Sequence, residues 1–209
     1  TCYDLWHWAN GEVSQIIRQK SGKAFSVAKL KELLQNKNVD TVQFAITYLK
    51  EGQVFDQTTI NAVIESMKIG GDELIEAAVL YLKKASKTPA DYFRSLQKIF
   101  VDCSSNKRVF ILTSITEDSQ LPSGSFYDLL SKSIPDLKSY HEVHIMLTLF
   151  EKRQAWSPEI ENNVIGLLKH PKFFFSRRAY WFLKKNKVSE ANQTKVDAFF
   201  KKHQLRLLY

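Results

Sequence analysis

Apolar positions recur along this chain with a period of about 34 residues, the size of one repeat unit in a helical array. Leu49, Leu82, Ile115, Leu149 and Leu183 stand near the ends of helix-like segments, at steps of 33, 33, 34 and 34. Leu34, Met67, Phe100, Ile134 and Leu168 keep the same steps, and so do Leu30, Val63, Leu96, Leu130 and Val164. A fourth set is Ala45, Ala78, Ile111, Ile145 and Ala179. Every member is apolar, although apolar residues make up only 44% of the chain. Two of the sets lie four residues before the other two, the spacing that places side chains on one helix face. A fixed period of this size marks stacked supersecondary units, each too small to bury its apolar face alone.

The spacing predicts paired helices and no strands, since no period-2 alternation is sustained. Residues 3–20 read as the second helix of an incomplete preceding unit, around Leu5, Trp6, Val13, Ile16 and Ile17. Ser26 caps the next helix, 38–50 is its partner, and Gly52 is the stop. Segments 58–68 and 72–84 form the second unit, with Gly70-Gly71 as the turn and Asp72 as the cap. Thr88-Pro89 and Ser157-Pro158 each place a cap before a proline at the first helical position. Phe126, Leu129, Leu130 and Ile134 are the core face of a helix that Pro135 ends, with 138–152 as its partner. Pro171 precedes the helix 173–186, and Ser189 opens a last one running to about His203. There Lys202 falls where the register calls for Leu or Ile, as in a terminal cap. The expected fold is all-α: a right-handed α-solenoid of about five helical hairpins over 26–187, with a partial repeat at 1–25 and a basic terminal helix at 188–209. The 209 residues are read as one repeat domain, cut from a larger protein.

A helical hairpin of this length is the size of tetratricopeptide and pentatricopeptide repeats. The stretch Thr41-Val-Gln-Phe-Ala-Ile-Thr-Tyr-Leu-Lys-Glu-Gly52 resembles the first helix of the pentatricopeptide type, and Thr58 to Met67-Lys68 resembles its second. That resemblance implies an RNA base-reading residue near the start of each first helix, commonly Asn, Ser or Thr. Aligned on Lys50-x-Gly52, those positions are Val42, Ile75, Arg108, Glu142 and Ser176, of which only Ser176 suits the task. The Trp, Gly and Tyr pattern of tetratricopeptides is not met.

Charge adds a second pattern. The formal net charge is +8, but residues 1–168 hold 19 Lys+Arg against 20 Asp+Glu. Residues 169–209 hold 11 Lys+Arg against Glu190 and Asp197 alone, a balance of +9. A basic end on a balanced body points to an anionic partner there. In the helix from Phe173, residues Phe175, Ala179, Phe182 and Leu183 share the core face. Arg177, Arg178, Lys184 and Lys185 share another, with Trp181 among them and Phe174 beside it. Cations around a ring can hold an anionic backbone while the ring stacks. Lys201, Lys202 and Arg206 extend the set.

Other chemistry is thin. Cys2 and Cys103 make neither a disulfide framework nor a zinc site and read as inert thiols of a reducing, intracellular compartment. His141 and His144 share a helix face without the spacing of a zinc-protease motif. Tyr3, Trp6 and Trp8 form an N-terminal aromatic cluster that packs on the first hairpin or the preceding repeat. There is no phosphate loop, nucleophile elbow or spaced acidic pair, no apolar run of membrane-spanning length, and no cofactor or metal is expected. The expected role is a non-catalytic protein–protein interaction scaffold within a larger complex. The alternative is an RNA-associated module of a ribonucleoprotein complex, in an organelle or in ribosome assembly. RNA or an acidic protein surface is the expected partner of the basic end.

Overall fold

Among the described residues, seven helices begin at a side chain that accepts a hydrogen bond from a backbone amide of the first turn: Ser26, Asn38, Asp56, Thr88, Ser104, Ser139 and Ser157. Each such cap satisfies an amide the helix cannot, and is worth about 1 kcal/mol. At Ser139 the bond is reciprocal, because the Glu142 carboxylate accepts from the Ser139 amide at 2.7 Å. These signals sit at the hairpin spacing and cut the chain into short helices. The computed structural model of the chain describes residues 25–69, 71–119, 122 and 124–207. The helix predicted for 3–20, the aromatic cluster at Tyr3, Trp6 and Trp8, and Gly70 lie outside the described residues. Among the described residues every regular element is helical, and no helix is long and apolar enough to cross a membrane.

The chain falls into two compact units, Thr1–Ser86 and Lys87–Tyr209. The first contains α1 (Val27–Leu33), α2 (Val39–Glu51), α3 (Gln57–Ile69) and α4 (Leu74–Ala85). α2 lies against α1 and α4, and α3 against α4. Lys31 reaches from α1 to Asp56 at 3.0 Å, and the Tyr81 hydroxyl donates to the Val54 carbonyl at 2.6 Å.

The second unit contains α5 (Pro89–Asp102), α6 (Ser105–Glu117), α7 (Gly124–Ser131), α8 (Tyr140–Lys152), α9 (Pro158–Gly166), α10 (Phe173–Lys184) and α11 (Glu190–Leu207). Short 3-10 turns follow α7 at Ile134–Asp136 and α9 at Leu167–Lys169. Two rows of contact result: α6 on α8 on α10, and α5 on α7 on α9 on α11. Phe93 meets Phe126 within one row, at 5.3 Å between ring centroids, and Phe150 meets Phe182 within the other, at 6.3 Å.

Of the twenty register positions, all are buried except Ile145 and Leu168, which are half-buried. Leu168 was expected in the core. It sits inside the 3-10 turn, whose three-residue period turns Leu167 inward in its place. Leu129, expected on the core face of α7, is exposed. Pro135 lies within the first 3-10 turn, after α7 has already ended at Ser131. The cap position of α4 is Glu73 rather than Asp72, and its side chain makes no cap bond. α11 continues to Leu207, past the predicted end at His203.

The stops are made differently from the sequence reading. Gly52 keeps right-handed backbone, φ −73°, and Gln53 takes the left-handed place with φ 54°. Gln154 repeats this after α8, with φ 51°. In both, the next amide reaches back over the turn, Val54 N–H to the Leu49 carbonyl and Ala155 N–H to the Phe150 carbonyl, each at 2.9 Å. This double closure satisfies terminal carbonyls, at some strain for a residue with a Cβ.

Polar groups, Arg108 and Glu161 buried and Arg153 half-buried, join successive helices of the second unit. Arg108 donates to the carbonyls of Phe100, Val101 and Asp136, at 3.0–3.1 Å. Arg153 closes the end of α6, donating to the carbonyls of Ile115, Thr116 and Asp118. Glu161 on α9 accepts from the Ser189 amide and hydroxyl and from Asn192, seating the first turn of α11.

Candidate functional site

α10 carries Phe174, Arg177, Arg178, Trp181 and Lys184, with Lys185 at its C-cap, within one third of its circumference, at about 100° per residue. Its opposite face, Phe175, Ser176, Ala179, Tyr180, Phe182 and Leu183, is buried. The rings on the first face are not covered: Phe174 is 65% exposed and Trp181 43%. Tyr140, at the first turn of α8, is also 43% exposed, and its ring lies 6.5 Å from that of Phe174. Tyr140, Phe174, Arg177, Arg178 and Trp181 line a shallow, mostly apolar recess of about 380 Å³. Trp181 meets Tyr180 edge-on at 5.2 Å, and Tyr180 rather than Trp181 carries the contacts to Phe199 and Phe200 of α11.

The cations divide into two sorts. Arg178 is largely buried and grips Glu151 of α8 with both terminal nitrogens, each at 3.1 Å, and reaches Thr148 at 3.4 Å. Lys185 touches the same carboxylate at 3.3 Å, yet its side chain is 66% exposed. Burial pushes the Glu151 carboxyl up, but Arg178 and Lys185 outweigh it and hold it below the ordinary value. It is therefore ionised at neutral pH. Arg177 is half-exposed and Lys184 exposed. His144, one turn from Tyr140, is held below its ordinary value by burial, Arg178 and His141.

The remaining predicted residues sit elsewhere. Arg206 lies over the ring of Phe173, 3.9 Å from its centroid, beside His203. Lys201 and Lys202 are exposed on α11. The structure thus gathers Arg177, Arg178 and Trp181 around one recess, with Lys184 and Lys185 on the following turn, and leaves Lys201, Lys202 and Arg206 on another helix. Tyr140 and Glu151 were missed by the sequence reading, although each stands one repeat before a residue of the cluster, Phe174 and Lys185.

Register explains why the face is open. Arg177, Trp181 and Lys184 stand one repeat after Val143, Leu147 and Phe150. In α8 those three are buried, and Phe150 packs on Phe182 of α10. In α10 the equivalent positions are half-exposed or exposed, with two cations and a Trp in place of three apolar groups.

The base-reading positions implied by the pentatricopeptide resemblance are not available to a ligand. Val42, Ile75, Arg108, Glu142 and Ser176 are all buried. Ser176, the one of suitable type, donates to the Phe173 carbonyl at 3.1 Å. Burial pushes Glu142 up, but bonds from Ser105, Ser139 and the Lys138 amide outweigh it and hold the carboxyl below its ordinary value. Burial also pushes the Cys103 thiol up to about 11, so it is a protonated, weak nucleophile at neutral pH. No protein-family model, curated protein or solved structure matches this chain.

Proposed function

We propose that this chain is a non-catalytic helical-repeat scaffold, an α-solenoid module of a larger intracellular assembly, and that it holds a protein partner through the outward side of α10. The observation that supports this reading is the substitution in register: Arg177, Trp181 and Lys184 are open where Val143, Leu147 and Phe150 are covered. A solvent-facing side needing only solubility would carry charge without large rings. Exposed Trp, Phe and Tyr beside Arg is the composition of an interface anchor. The burial of all five implied base-reading positions weighs against sequence-specific RNA reading. A second reading has its own support, since the +9 balance of residues 169–209 and exposed rings would suit single-stranded RNA.

Affinity purification of the intact protein, with and without nuclease, separates the two. Protein partners that survive nuclease and are lost in an Arg177→Glu, Lys184→Glu variant fit the scaffold. Loss of every partner on nuclease treatment fits the RNA module.

A further inference from the structure

Resting on the reading of the α10 side as a protein interface, we infer that its occupant is a short acidic segment bearing one large apolar side chain. The ring recess takes the apolar group, and Arg177 and Lys184 take carboxylates.

The lining of the recess sets the first half of this assignment. Tyr140, Phe174 and Trp181 give it an apolar wall with room for a large apolar side chain. The second half follows from charge. Arg177 and Lys184 flank Trp181 on one side of α10, and Lys185 lies one turn beyond it on the other. Arg178 is already committed to Glu151, so it stiffens the floor of the recess and adds little free charge.

Glu151 also decides between the two polyanions that could come here. Its ionised carboxylate lies within the basic face, 3.3 Å from Lys185. A nucleic-acid strand spaces its phosphates regularly and would carry one past that carboxylate. A peptide can place carboxylates at Arg177 and Lys184 and leave the position beside Glu151 neutral. The rings point the same way, because Tyr140 and Phe174 stand at 75° to each other. They form a corner around one group and not parallel platforms for successive bases. Glu151 thus occupies Lys185 and disfavours any ligand charge placed beside it.

The test is titration of the full chain, followed by Trp fluorescence and calorimetry, with three probes: a synthetic peptide of Asp and Glu around a single Leu, the same peptide with Ser for Leu, and an oligouridylate of equal charge. Trp181→Ala and Glu151→Gln variants are compared with wild type, each shown to be folded by its melting transition. The Leu peptide should bind best, the Ser peptide roughly tenfold weaker, as expected for one buried apolar side chain. Trp181→Ala should weaken the Leu peptide at least about tenfold, and Glu151→Gln should tighten it several-fold. Equal binding of the Leu and Ser peptides, or no response to Trp181→Ala, overturns the assigned occupant. The protein-interface reading then survives only if nuclease-resistant partners still depend on Arg177 and Lys184. Tighter binding of the oligouridylate than of either peptide overturns both.

Discussion

α8 and α10 hold equivalent places in consecutive hairpins, and their outward sides have opposite chemistry. Val143, Leu147 and Phe150 on α8 are buried, Phe150 against Phe182 of α10. Arg177, Trp181 and Lys184 on α10 are open. The inward faces of the two helices do not differ in this way: Leu149 and Leu183 are buried, as are Met146 and Tyr180. A repeat helix therefore has one side fixed by its own hairpin and another that reports on its neighbour. Where the neighbour is a further helix, that side is apolar and packed. Where the described residues leave that side uncovered, as at Phe174 and Trp181, it carries rings and cations.

The largest expected effect breaks α8 and spares α10. Leu147→Arg buries an unpaired charge and should cost more than about 4 kcal/mol, enough to unfold the unit. Trp181→Arg, at the equivalent place, should change stability by less than about 1 kcal/mol. Urea denaturation of the two variants makes the comparison. Truncation gives a milder version. Phe150→Ala should cost about 3–5 kcal/mol, as should Phe100→Ala in α5, against about 0.5 kcal/mol or less for Lys184→Ala.

Acid should act through α8 more than through α10. Glu142, Glu151 and Glu161 all titrate below their ordinary value of 4.5 in the folded chain. Their stabilisation is therefore present above about pH 4.5 and is lost as pH falls through the lower, folded values. His144 is depressed from 6.5, so it adds a smaller loss of the same sign, beginning as pH falls through 6.5. Two of these carboxylates belong to α8, and their register equivalents in α10 are Ser176 and Lys185. Melting temperature should be flat above about pH 7, decline slightly as pH falls through 6.5, and fall more steeply below about pH 4.5. A Glu142→Gln, Glu151→Gln variant should be less stable at pH 7 and show a shallower fall. The smallest effect lies at the stops. Gln53→Gly and Gln154→Gly should each raise stability by up to about 1 kcal/mol, because glycine occupies the left-handed position with less strain.

Helix content and the register were legible because they rest on local rules. Caps at Ser26, Thr88 and Ser157 were read from one or two residues, and the buried sets from a period that packing enforces on every unit. What was not legible depends on the neighbouring hairpin or on a local change of helix type. Leu168 lost its core place to Leu167 because α9 tightens into a 3-10 turn, which the period does not signal. Gly52 was read as the stop, yet the strained position is the following Gln53. In the site, Arg177, Arg178 and Trp181 were found from α10 alone, since a helical wheel needs only one helix. Tyr140 and Glu151 come from α8, and nothing within α10 announces them. The reach of Lys201, Lys202 and Arg206 toward the same cluster was inferred from charge, and charge does not give position: Arg206 stands over Phe173.

The most direct measurement is the indole region of a nitrogen-15 correlation spectrum during titration with the acidic Leu peptide. Trp181→Phe assigns the Trp181 resonance, and Trp156, which packs on Phe182 at 5.8 Å, serves as an internal control. A large shift of the Trp181 indole with a small one at Trp156, and backbone shifts confined to Tyr140 and residues 174–185, is the predicted result. Shifts centred instead on the groove of Phe93, Arg94, Gln97 and Leu129 in the other row, with the Trp181 indole unmoved, would contradict it.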